Sequence, residues 1–132
     1  AHRVLRERRR LGAEAVRLFC DVDVKHSAPL APRPLREEVS DLVERGGADA
    51  VLVTGAGTRR GASLQHLEEV AASTSAPVYV ASGVTHGHVA EYGRAHGFIV
   101  GSCLRANGRA GGPIDRDLAT RFADELRTLR SR

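Results

Sequence analysis

Lys25 is the one amine in a chain that otherwise uses arginine for positive charge. Nineteen of its twenty basic side chains are Arg. Lys is a compact charge whose pKa moves on burial, so it can serve as a base, a nucleophile or a point contact to phosphate. It closes the run Arg17-Leu18-Phe19-Cys20-Asp21-Val22-Asp23-Val24-Lys25-His26, which reads as a strand. Alternation puts Asp21, Asp23 and Lys25 on one face, with Leu18, Cys20, Val22 and Val24 on the other. Three charges on one strand face are costly unless that face lines a wet cavity, a ligand site or an ion-paired core. The chemistry expected is proton handling: Lys25 against a negative or carbonyl oxygen, Asp21 and Asp23 orienting it or taking a proton. His26 joins them only if the strand has ended by then. Asp21, Asp23 and His26 also contain metal-ligating types, but their spacing matches no recognised metal signature. No metal or cofactor is therefore expected.

A second set of residues is suited to an anion. Thr54-Gly55-Ala56-Gly57, Ser82-Gly83 and Gly101-Ser102 each follow a short apolar run. Gly lets the backbone approach a phosphate closely, and free amides at the start of a helix point at it. Two such Gly-Ser pairs on consecutive units resemble the grip that barrels form after their last two strands. Thr54, Gly55, Gly57, Ser82, Gly83, Gly101 and Ser102 are the expected ligand-binding residues.

The elements that must position these groups alternate along the chain. Helices are expected over about residues 3–15, then around Leu35, Val39, Leu42 and Val43, which recur at helical spacing and stop at Gly46-Gly47. Ser63 caps a helix carrying Leu64, Leu67 and Val70, Thr85 a short one with Val89 and Tyr92, and Asp115 a last one with Leu118, Phe122, Leu126 and Leu129. Strands are expected at 17–25, 50–54, 77–81 and 97–100. Short, non-alternating apolar strands between helices mean a parallel sheet covered by helices. The fold class is α/β: four strands and about five helices in one domain over residues 1–132. This is either a small open sheet or half of an eight-stranded barrel. The polar residues at every strand's carboxyl edge favour the half-barrel.

Composition narrows the partners. A hydrophobic content of 42% and a charged content of 27% suit a soluble globular domain. No apolar run approaches the ~18 residues that span a bilayer, and no apolar stretch of signal-peptide type follows the Arg-rich start. The pI of about 9.8 invites nucleic acid, yet the net charge is only +4 and five aromatics offer no stacking platform. Specific nucleic-acid binding is not expected. Cys20 and Cys103 are read as buried in strands about 14 Å apart, three strand spacings, too far for a disulfide. The chain is thus expected to be reduced and cytoplasmic. It lacks Met even at position 1, which reads as a processed product, a fragment or part of a longer protein. His2, His66 and His96 read as surface residues without partners.

The strings Asp21-Val22-Asp23-Val24-Lys25-His26-Ser27-Ala28-Pro29-Leu30, Ala48 to Thr58, Ala81-Ser82-Gly83-Val84-Thr85 and Gly97 to Ser102 resemble the BtpA/SgcQ family in order and spacing, from about Phe19 to Asp115. The resemblance implies a TIM-type (β/α)8 barrel related to ribulose-phosphate-binding barrels, of which this chain is the carboxyl half, equivalent to strands five to eight. The family's name comes from photosystem I biogenesis, and its chemistry is not settled. The family pattern has His at the place of Asp23, and Pro-Glu-Asn where this chain has His86-Gly87-His88. The expectation is a phosphorylated small molecule at the strands' carboxyl edge, with the reaction open. The alternative is an assembly factor that is no enzyme. The open edges of a half barrel imply a homo-oligomer or a missing amino half.

Overall fold

A computed structural model describes residues 2–24, 30–55, 61–109 and 111–131. Helix α1 spans His2–Arg10. It stops earlier than the expected residue 15 because Gly12 adopts φ 61°. The amide of Gly12 then donates to Arg9 O at 3.1 Å, and that of Ala13 to Arg8 O at 2.9 Å. This pair of reversed bonds satisfies the last carbonyls and closes the helix.

Strand β1 covers Phe19–Val22. Helix α2 covers Leu35–Ser40 and continues as a π turn over Asp41–Arg45. The wider turn delivers Gly46 N–H to Asp41 O at 2.8 Å, and Gly47 leaves it with φ 66°. Strand β2 (Ala50–Thr54), helix α3 (Leu64–Ala72), strand β3 (Val78–Ala81), strand β4 (Gly97–Ile99) and helix α4 (Arg116–Arg130) follow. The caps expected at Ser63 and Asp115 form. Ser63 Oγ accepts from His66 N at 3.4 Å, and Asp115 Oδ1 accepts from Leu118 N at 3.0 Å. Among the described residues there are four α-helices, against about five expected. Val89–Tyr92 is a single 3-10 turn, and Thr85 does not cap it.

The four strands are all parallel, in the order β1-β2-β3-β4. This is an α/β fold consistent with half of a TIM-type barrel. Val22, Val53 and Val80 lie side by side in register. With Val51 and Val78 they join Val39, Leu67, Val70 and Phe122 from the helices in one buried core. Alternation sends Phe19, Asp21, Leu52, Thr54, Tyr79, Ala81 and Ile99 to the opposite face. There the rings of Phe19 and Tyr79 meet edge to face, 5.1 Å apart, across β2. Ala50 and Leu52 are buried, while Phe19 and Ile99 on the two edge strands remain half exposed.

Candidate functional site

The strands' carboxyl ends gather part of the expected site. Lys25, His26 and Gly57 lie outside the described residues. Asp21 lies within β1, in register with Leu52, on the face turned from the helices. Asp23 does not continue that face. The strand ends at Val22, and Asp23 follows with φ 56° in the left-handed region. The alternation expected through Lys25 therefore breaks two residues early.

Asp23 instead has a partner that the sequence did not suggest. Its Oδ2 lies 3.4 Å from His66 Nε2, in the first turn of α3. Reading His66 as a partnerless surface residue is thus corrected. So is the same reading of His96, whose Nδ1 accepts from Val78 N at 3.1 Å at the amino ends of β3 and β4.

At the tip of β3, Ser82 and Gly83 both hold positive φ, 77° and 76°. The Ser82 amide donates to Ile99 O at 3.3 Å, which ties this loop to the end of β4. That amide is spent on the protein, and no helix opens at Gly83, contrary to expectation. Gly101-Ser102 does open a 3-10 turn, Ser102–Leu104. Thr54 ends β2 with its hydroxyl buried and without a partner among the described residues, and Gly55 beyond it is buried. The loop after β2 returns at Gly61, where an added Cβ would stand 2.7 Å from the Tyr92 hydroxyl and 3.5 Å from Gly83 O. The tips of β2, β3 and β4 are therefore in contact through loop backbone.

The His86-Gly87-His88 segment is structural. His86 sets Nδ1 3.2 Å from Glu125 Oε1 and Nε2 3.1 Å from Cys103 O. Its ring stands edge-on to Phe122, and Gly87 N donates to Glu125 Oε2 at 2.9 Å. These contacts fasten the β3 loop to α4. Gly87 takes φ 79° in a turn and not in a helix. A groove of about 600 Å³ lies beside it, between Val89-Ala90 and the outer side of α4. It holds none of the expected site residues.

Both thiols are unpaired. Burial pushes Cys20 and Cys103 up, and Asp21 beside Cys20 adds to its shift. Cys103 sits in the 3-10 turn and not, as expected, in a strand. At the amino edge, Asp49 gathers donors that the sequence reading missed: Leu18 N at 2.8 Å and Arg17 Nη1 at 3.0 Å, with Arg8 Nη1 at 3.7 Å. Among the described residues no three His, Cys, Asp or Glu converge to hold a metal ion. No helix there is long and apolar enough to cross a membrane.

Comparison with known proteins places these features in a family. The profile described as the BtpA family matches residues 1–128. The photosystem I biogenesis protein BtpA of Synechocystis is 34% identical over 96% of this chain and 44% of its own length. An uncharacterized mitochondrial protein of Caenorhabditis elegans is 33% identical over 96% of this chain and 46% of its own. An uncharacterized protein of Thermococcus kodakarensis is 33% identical over 98% of this chain and 49% of its own. The chain thus spans about half the length of the curated relatives it matches. No solved structure is significantly similar to it.

Proposed function

The chain belongs to the BtpA family, and we propose that it binds a phosphorylated small molecule at the carboxyl edge of its sheet. In this reading residues 1–132 form one half-barrel unit, and the chain works in a reducing, cytoplasmic setting. The observation that carries this reading is the backbone at the tips of β3 and β4. Two consecutive left-handed residues, one of them not glycine, stand at 82 and 83, and Ser82 N–H locks them to Ile99 O. Such backbone conformations persist where the surroundings hold them, and they concentrate at ligand clamps. With the Ser82 amide engaged, the donors for phosphate in this reading are Gly83, Gly101 and Ser102. Asp21 and Thr54 line the approach with Gly55 beyond β2, and Gly57, Lys25 and His26, outside the described residues, complete the proposed set, with Lys25 as its amine.

A panel of phosphorylated sugars and nucleotides tests this by thermal shift. A ligand at a hundredfold excess over its Kd adds about 2.7 kcal/mol to folding stability. Binding that is weakened in Lys25→Ala supports the reading. No shift across the panel overturns it. The Synechocystis relative, a photosystem I biogenesis protein, favours a second reading, an assembly role without catalysis. In that case Lys25→Ala matches wild type in partner assays and the panel stays silent.

A further inference from the structure

The Asp23–His66 pair takes no part in holding the phosphate, yet it lies at the same edge of the sheet. We propose that this pair is the second arm of the site and receives the hydroxyl-bearing end of an elongated sugar or polyol phosphate. The proposal rests on the phosphate reading above.

Three observations carry it. First, Asp23 keeps φ 56° immediately after β1. Asp enters this left-handed region more readily than most side chains, and the turn takes the carboxylate off the strand's alternation. Second, the carboxylate and imidazole that meet at 3.4 Å come from two separate elements, β1's tip and α3's first turn, and both remain accessible, 58% and 24% exposed. The His66 backbone is itself pinned by the Ser63 cap. Third, the register pairs Val22 with Val53 and Thr54 with Ala81, so Asp23 leaves the end of β1 at the edge of the sheet where β2 and β3 also end. Two strand spacings separate β1 from β3, about 10 Å. A ligand reaching from Ser82-Gly83 to Asp23 must therefore carry a chain of several carbons between its phosphate and its far end. Between them Thr54 ends β2 with its hydroxyl buried and without a partner among the described residues. A carboxylate accepts from one hydroxyl while the adjoining imidazole serves its neighbour, which matches vicinal hydroxyls.

Isothermal titration of the full chain with inorganic phosphate, ribose 5-phosphate and glucose 6-phosphate tests the pair. Wild type is expected to bind one of the sugar phosphates at least about tenfold more tightly than inorganic phosphate. Asp23→Gly and His66→Asn each erase that advantage and leave inorganic phosphate binding unchanged. The melting temperature of Asp23→Gly holds or rises, because glycine relaxes the backbone. Variants that keep the advantage overturn the proposal and leave the phosphate reading standing. So does Asp23→Gly melting lower with binding intact, which marks a purely structural ion pair. If inorganic phosphate fails to bind but a sugar phosphate binds through Asp23 and His66, the pair stands and the grip falls. If none of the probes binds, both fall.

Discussion

Asp49 ties the amino end of β1 to that of β2 and draws α1 toward them through three donors on one carboxylate. The Leu18 amide, then Arg17 and Arg8, hold its carboxyl below the usual carboxylate range. Folding therefore favours the ionised form. Its contribution is complete above the unfolded-state pKa, about 4, and is lost as pH falls through the lower folded value. A thermal melt series should show stability dropping below about pH 4, and Asp49→Asn should be less stable at pH 7 with a flatter acid limb. Ser82 supplies a second residue-scale test. Its φ of 77° tolerates Gly but not a β-branched side chain. Ser82→Val should lose about 1–2 kcal/mol in a denaturant titration, and Ser82→Gly should lose little. Ser82 and Gly101 could be placed at strand tips from sequence because apolar runs stop beside them. The Asp23–His66 contact could not, since nothing local links a strand tip to a residue beyond α2 and β2.

The elements were legible in type more than in extent. Strands announced themselves as continuous apolar runs, and Ser63 and Asp115 announced helix starts through their side-chain oxygens. Their ends were decided by backbone geometry with a weaker sequence sign. Gly12 cut α1 short, whereas Gly46-Gly47 ended α2 where expected, after the π turn at Asp41–Arg45. Packing between elements sets two tests. Leu67 of α3 is 1% exposed against the sheet, so Leu67→Ala should cost about 2–5 kcal/mol in equilibrium unfolding. On the other face, a Cβ at Gly97 would fall 2.6 Å from the Tyr79 ring. Gly97→Ala must push that ring off β4 and against Phe19, at about 1–3 kcal/mol. A near-ultraviolet circular dichroism change in the tyrosine band should accompany the loss.

At the scale of the whole molecule, a four-stranded parallel sheet leaves β1 and β4 as open edges among the described residues. The half-exposed Phe19 and Ile99 stand on those two strands. Such edges template pairing with further strands. Multi-angle light scattering of the 14.1 kDa chain should therefore report a species larger than a monomer, and Ile99→Lys should shift it toward monomer. The half-barrel class was readable from the βα alternation. Which residues close the site was not, because a barrel edge collects side chains from strands distant in sequence. The most direct measurement is a backbone amide NMR titration of the chain with ribose 5-phosphate. Saturable shifts centred on residues 82–83 and 101–102 are expected. A titration that leaves those amides unmoved, or moves only the Arg-rich α1, would contradict the strand-tip site.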